Sequence, residues 1–457
     1  MKVYEFAGLL TDTGWITPGY VQLDAEGNIL YAGNVAPGET SATEKVAGYA
    51  LPGFQNAHSH AFQYAMAGIA ERHVQSDDFW SWRENMYQLA LSMNPDQMEA
   101  VAAMLYAEML RQGYTAVAEF HYVHHDKDGS PYDNLSELGE RLVSAAQTAG
   151  IRITLIPMFY QQGGFGLPAN HGQRRFISPA TEDYFRLVEA SARSLKFYEK
   201  ASLGVGVHSL RAVKFEDILR TIGETDQHLP FHVHVAEQLK EVADCLAYCG
   251  KRPVEWLIEN AGLTDRFHLV HATHLTESEI MGITQSGAQV VLCPSTEGNL
   301  GDGRFSLVEF QQSGGKWSIG TDSHIGLSPM EELRILDYGQ RIYHHRRNIF
   351  HSPDQTDSGT YGFRQVWTNG RKAMGENPSG YFQTGKPFDA VVIDERHPLI
   401  ENSHPENLLS TLIYAGDSTF LLGTIVAGEW KVYEGKHPES GTIFSRFGTT
   451  IRELKNR

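Results

Sequence analysis

The sequence predicts a (β/α)8 barrel carrying a small β unit built from both ends of the chain. Three observations predict it. Strand-sized apolar runs alternate with helix-sized segments through the middle of the chain, ionisable residues gather at the C-terminal ends of those runs, and short strand-and-turn patterns occur near both termini. The 457 residues allow one large domain with a companion, because single cores stop growing at about 250–300 residues. With 41% hydrophobic and 20% charged residues, the composition is that of a globular chain.

The first fifty residues alternate "GYVQLD" and "ILYAG" with the turn signals "AEGN" and "VAPGE", and the tail offers "FDAVVID", "GTIVAG" and "EWKVYEG". Residues 1–50 and 381–457 are therefore expected to form one discontinuous small β-sandwich domain, with the barrel spanning 51–380. Candidate barrel strands end at "LPGFQNAHSH", "TAVAEFHYV", "RITLIPMFY", "LGVGVHSLR", "LPFHVHVAE", "FHLVHATH", "QVVLCPSTE" and "WSIGTDSH". Helical segments separate them. "NPDQMEAVAAMLYAEMLRQG" opens with Asn94 as a cap before Pro95 and stops at Gly113, and "ELGERLVSAAQTAG", "AEQLKEVADCLAYCG" and "TESEIMGITQSG" also end at glycine. An open doubly wound sheet is the competing architecture, but no G-x-G-x-x-G turn follows the first strand.

The formal charge of −17 argues against nucleic acid and anionic membranes as partners, while a few arginines inside a cleft still suit a small anionic substrate. The opening "MKVYEFAGLL" lacks the apolar core of a secretory signal, and no run approaches 18 uncharged apolar residues, so a soluble cytoplasmic protein is expected. Cys245, Cys249 and Cys293 are too few for a disulfide framework and are expected to be ordinary thiols.

Parallel barrel strands should be apolar, with catalytic groups at their C-terminal ends. Here the run ends carry His58 and His60, His121 and Tyr122, His208 and Arg211, His232, His234 and Glu237, His271 and His274, and Asp322 and His324. Side chains alternate along a strand, so His58 and His60 share a face and can hold one cation. An isolated H-x-H reads more simply as two hydrogen-bonded surface histidines. The second pair, in "HVHVAE", the sixth-strand His271 and the eighth-strand Asp322 in "GTDSH" favour a metal site.

H-x-H, a fifth-strand histidine, a sixth-strand histidine and an eighth-strand aspartate together resemble the amidohydrolase superfamily. The resemblance implies a metal held by His58, His60, His234 and Asp322. Dinuclear members use a carboxylated lysine at the end of strand four; "GVGVHSLRA" has none, which implies one Zn2+ per chain, with iron or another divalent ion acceptable. The glutamate of "HVAE" marks the deaminase branch. By resemblance Asp322 takes a proton from the attacking water, His271 orients the attacking oxygen, and Glu237 protonates the departing nitrogen; Glu237 as a helix cap and His271 as a core histidine are the plainer alternatives. His232, His274 and His324 are expected to be structural, and His124, His125, His344 and His345 to be solvated.

"NAHSHAFQYAMAGIAER", "FWSWRENMY", "AEFHYVHH" and "CPSTEGNLGDG" are more specific, and resemble the formimidoylglutamate deiminases of bacterial histidine degradation. The expected substrate, N-formimino-L-glutamate, is a dianion with an N–CH=NH group. Arg211 and Arg83, the latter in the long loop after strand one, suit its carboxylates. The resemblance further implies that Gln63 contacts the formimino end and that Tyr122 and His208 assist the carboxylates. Packing roles for Gln63 and Tyr122, and a loop ion pair of Arg83 with Glu84, are the alternatives. Trp80 and Trp82 are expected to wall the pocket or pack the loop, and Asn299, Leu300 and Asp302 to border its mouth without an assigned role. A heterocycle deaminase acting on guanine or a pterin shares the metal set and is the rival reading. A homodimer is expected by resemblance alone.

Overall fold

The computed structural model describes residues 2–38, 43–69, 71 and 79–454, without the side chains of 79–81. Eight parallel strands, β1 (Phe54–Ser59), β2 (Tyr114–His121), β3 (Arg152–Phe159), β4 (Val205–Ser209), β5 (Phe231–Val235), β6 (Phe267–His271), β7 (Gln289–Leu292) and β8 (Lys316–Ile319), pair in chain order. The backbone N–H groups of Thr321 and Asp322 both donate to His58 O at 3.0 Å, and His60 N–H donates to Asp322 O at 3.1 Å. These bonds join the first strand to the last and close the barrel. They also bring the H-x-H pair beside Asp322, which lies more than 260 residues away in sequence. Every residue of β1, β2, β4, β5, β6 and β7 is buried, as strands covered on both faces require.

The helices start and stop where the sequence signals them. Asn94 accepts from Gln97 N–H at 2.9 Å while Gln97 Oε1 accepts from Asn94 N–H at 3.0 Å, a reciprocal cap on the helix Pro95–Arg111. The helices Glu137–Ala149, Leu239–Cys249 and Glu277–Ser286 each end at a left-handed glycine, Gly150, Gly250 and Gly287, a conformation that costs glycine nothing.

The strands Lys2–Thr11, Gly14–Ile16, Gly19–Leu23, Ile29–Gly33, Thr43–Pro52, Ala390–Asp394, Leu421–Val426 and Glu429–Tyr433 form a single sheet. Thr43–Pro52 pairs parallel with Lys2–Thr11 and antiparallel with Ala390–Asp394, which ties the two ends of the chain together. Three strands separate Lys2–Thr11 from Glu429–Tyr433 in hydrogen-bonded order, about 19 Å apart in a flat sheet. Yet the rings of Tyr4 and Trp430 lie 6.4 Å apart, and Tyr4 OH donates to Gly428 O at 3.0 Å. The sandwich is thus one sheet curled over its own core, in which Phe6, Val21, Phe388 and Ile425 are buried. The tail is not wholly β. The helix Leu408–Ala415 meets the barrel layer through Tyr414 OH, which donates to Asp337 at 2.5 Å, and the helix Ser440–Glu453 through Arg446, 3.0 Å from Glu99. Among the described residues no helix is long and apolar enough to cross a membrane.

Candidate active site

His58 lies in β1 and His60 just beyond it, on the same face. Ser59 points the other way, and its Oγ donates to Glu119 Oε2 at 2.6 Å. Glu119 also accepts from Ala61 N–H at 2.6 Å and Tyr106 OH at 3.0 Å. These three donors pin the H-x-H segment from behind, around a carboxyl that burial lifts to about 7.

The imidazole Nδ1 of His60 donates to Phe120 O at 2.8 Å, and that of His234 to His208 O at 3.1 Å. A carbonyl can only accept, so both rings carry their proton on Nδ1 and turn the lone pair of Nε2 inward. His58 Nε2 lies 3.0 Å from His234 Nε2, and Asp322 Oδ1 lies 3.6 Å from His58 Nε2 and 3.2 Å from His60 Nε2. Burial holds the His58 pKa down to about 3 and lowers those of His60 and His234, so all three rings are neutral at pH 7. Burial opposes ionisation of Asp322, but its hydrogen bond to His58 and the surrounding imidazoles hold its carboxyl below the usual range. The Nε2 atoms of three neutral imidazoles converging beside a carboxylate are a donor set that fits one divalent cation, with ligand atoms all within 4.8 Å of one another.

His271 adjoins this group. Its Nε2 is 3.6 Å from Asp322 Oδ2 and 3.8 Å from Glu237 Oε1, and its Nδ1 is 3.2 Å from Glu297 Oε1. Burial works against a charge on His271, yet Glu237, Glu297 and Asp322 lift its pKa to about 10. Burial lifts Glu237 to about 7 against the pull of His271 and of Arg211, 3.9 Å away. His271 (φ 67°) and Asp322 (φ 46°) hold left-handed backbone, at a cost of about 1–3 kcal/mol each. Such strain at or just beyond two strand ends of the same barrel mouth marks residues whose side chains are aimed by the turn rather than by the pleat.

Above this floor opens a cleft whose wall includes Gln63, Arg83, Tyr122, His208 and Arg211, the five residues assigned to substrate by the sequence. Gln63 Nε2 donates to Tyr122 OH at 2.9 Å, and Gln63 Oε1 has no hydrogen-bond partner among the described residues. Arg211 is buried, with Glu237 and Glu241 around it. Arg83 belongs to the helix Phe79–Ser92 rather than to a loop, and stands over the Tyr87 ring at 5.4 Å. Trp82 and Leu300 line the cleft, whereas the Trp80 side chain lies outside the described residues. Asn299 instead donates to Glu71 at 2.8 Å, and Asp302 receives Gln238 Nε2.

His124 and His125 are not solvated as expected. They are tucked under the segment that follows β3, with ring Nε2 atoms donating to Met158 O at 3.0 Å and Ile177 O at 2.8 Å. Sequence reasoning also missed Tyr87, Tyr160 and Phe176, which wall the cleft. Tyr160 directly follows β3, so its strand-end position was the available signal. Glu119 and Glu297 gave none beyond being acids in otherwise apolar or small-residue runs.

The amidohydrolase family model matches residues 49–431. The formimidoylglutamate deiminase of Pseudomonas aeruginosa is 42% identical over 448 residues, covering 97% of this chain and 98% of the relative. The crystal structure of an amidohydrolase from Brucella melitensis superposes with a TM-score of 0.91 at 41% identity, covering 99% of this chain and 100% of the other. An adenosine deaminase from Xanthomonas campestris with bound zinc shares the fold, with a TM-score of 0.83 at 20% identity over 100% of this chain and 99% of the other. With the closed barrel, the metal-ligand cluster at its strand ends and relatives matched along nearly their whole length, the chain belongs to the amidohydrolase family.

Proposed function

We propose that the protein hydrolyses N-formimino-L-glutamate to N-formyl-L-glutamate and ammonia, with one zinc ion per chain. The observation that carries this reading is a pair of arginines, Arg83 and Arg211, in the wall of a cleft floored by a deaminase-type constellation. A substrate with two carboxylates matches two guanidinium groups, and the 42% identical relative is a formimidoylglutamate deiminase.

His58, His60, His234 and Asp322 would hold the metal, which when bound supplies a nucleophile at neutral pH by lowering the pKa of water from 15.7 to about 7. The protein's own groups then move protons. Asp322 accepts the proton that the attacking water loses. His271, cationic at neutral pH, keeps Nε2 toward the attacking oxygen and offsets its developing charge. Glu237, with a pKa of about 7, delivers a proton to the terminal nitrogen, so the tetrahedral carbon collapses by breaking that C–N bond and releasing ammonia. Gln63 is assigned to the formimino end, and Tyr122 and His208 to the carboxylates beside the arginines.

The rings of Trp82, Tyr87, Tyr160 and Phe176 would also suit a planar heterocycle, so the test must include one. Proton NMR of the reaction distinguishes the products: N-formyl-glutamate with ammonia supports the Glu237 assignment, whereas glutamate with formamide contradicts it.

We also propose that two chains associate along the helix Pro329–His344. Ile335, Tyr338, Ile342 and Tyr343 form an exposed stripe on it, with Ile342 at 75% exposure. Gly339 sits within the stripe with open space at its Cβ position, where a partner helix can approach closely. Exposed Glu331 at one end and Arg346 and Arg347 beyond the other make an antiparallel pair self-complementary in charge. Sedimentation should show a dimer that Ile342→Glu converts to monomer; an unchanged dimer in that variant removes this face as the interface.

A further inference from the structure

The loop after β7, "CPSTEGNLGDG", borders the cleft, and the proton traffic above leaves it without a role. Its Glu297 is buried and belongs to the short helix Pro294–Leu300. Glu297 Oε1 accepts Cys293 N–H at 2.8 Å and faces His271 Nδ1 at 3.2 Å. The first bond ties the carboxylate to the end of β7; the second passes that fixed position to the neighbouring strand end.

His271 needs such a tether. Its backbone is left-handed, so the strand pleat no longer dictates where the ring points. Nε2 faces Asp322 and Glu237, on the side where the reaction takes place. On the opposite side of the ring, Glu297 is the one side chain hydrogen-bonded to Nδ1 among the described residues. A carboxylate oxygen accepts, which makes Nδ1 the donor and fixes the ring plane. The same loop also grips the glutamate side. Asp302 N–H donates to Glu297 O at 3.0 Å, and the Asp302 carboxyl receives Gln238, the residue after Glu237.

We propose that Glu297 is the positioning residue for His271, holding its ring through Nδ1 so that Nε2 meets the reacting atoms. The inference rests on the deaminase reading for what His271 does, and on geometry for what Glu297 does to it.

The test compares wild type, Glu297→Ala and Glu297→Gln as zinc-loaded protein. Metal per chain, kcat and KM for N-formimino-L-glutamate are measured, together with the Nδ1–H signal of His271 in protein labelled with 15N-histidine, assigned through His271→Asn. In Glu297→Ala, kcat should fall about 10–100-fold, with KM and metal content within about twofold of wild type. The Nδ1–H signal should be lost in that variant. Glu297→Gln keeps an acceptor oxygen and should recover part of both. An unchanged Nδ1–H signal in Glu297→Ala overturns the proposal, as does an unchanged kcat, or a loss of metal in step with the loss of rate. Failure of wild type to turn over the substrate would instead count against the substrate assignment, and the NMR comparison would still decide the tether.

Discussion

Replacing Glu237 by glutamine separates proton delivery from every other property of the site. The substitution keeps size and hydrogen-bonding capacity but removes the carboxyl placed 3.8 Å from His271 Nε2 and 3.9 Å from the Arg211 guanidinium. With a pKa of about 7, Glu237 is near half protonation at pH 7, where it can both give and take a proton; an amide does neither. General acid–base catalysis is worth about 10²–10⁴-fold, or about 3–5 kcal/mol of barrier. Loss of the negative charge also lowers the His271 pKa from about 10, which weakens the cation beside the attacking oxygen and adds to the loss. The four residues proposed to hold the metal are untouched. Steady-state ammonia release at pH 7, with metal per chain measured on the same sample, should show kcat down by about 10²–10⁴-fold, KM within about threefold and metal unchanged. A kcat within about threefold of wild type at full metal would refute the proton-delivery role.

Four further outcomes follow. Arg211→Met should lower kcat/KM for N-formimino-L-glutamate by about 30-fold or more, from the about 2–5 kcal/mol of a truncated buried charge pair. N-formimino-glycine, which lacks one carboxylate, should suffer less from one of Arg211→Met and Arg83→Met than from the other; equal losses on both substrates would show that neither arginine distinguishes the missing group. Asp322→Asn should weaken metal affinity at least about tenfold, seen by competition with a chelator, and retention of the wild-type affinity would remove Asp322 from the ligand set. Glu332 is buried against Ser295, whose N–H and Oγ donate to it at 2.8 and 2.5 Å, and burial raises its pKa to about 8. A raised folded-state pKa means that its contribution is fully present below about 4.5 and is lost as pH rises through about 8, at up to about 1.4 kcal/mol per pH unit. Urea midpoints should therefore shift in favour of Glu332→Gln relative to wild type between pH 5 and pH 8.5, whereas parallel curves would contradict the assignment.

The site was legible where chemistry sits in a strand pattern. Parallel strands buried on both faces are apolar, so His58, His60, His234, His271 and Asp322 stand out against them, and period-two spacing by itself puts His58 and His60 on a shared face. What joins them is not local. The bonds between His58 or His60 and residues 321–322 close the barrel across almost the whole catalytic segment, and only strand order, not spacing, hints at them. His124 and His125 look solvated in "HYVHHDKDG", yet Arg175 O accepts their backbone N–H groups at 2.9 and 3.0 Å and covers them, a contact made by a segment 50 residues on. Glu119 was invisible for the opposite reason. It sits within an apolar strand, and its meaning depends on Ser59, Ala61 and Tyr106 converging on one carboxyl. The curl of the small sheet likewise depends on Tyr4 reaching Gly428, which strand-and-turn signals cannot show.

The measurement closest to the central claim is ammonia release by metal-quantified protein from N-formimino-L-glutamate, with N-formimino-glycine and guanine run beside it. Fast turnover of the glutamate derivative, little from the glycine derivative, none from guanine, and one metal per chain are expected. Ammonia from guanine, or none from N-formimino-L-glutamate at full metal, would contradict the two-arginine dianion pocket.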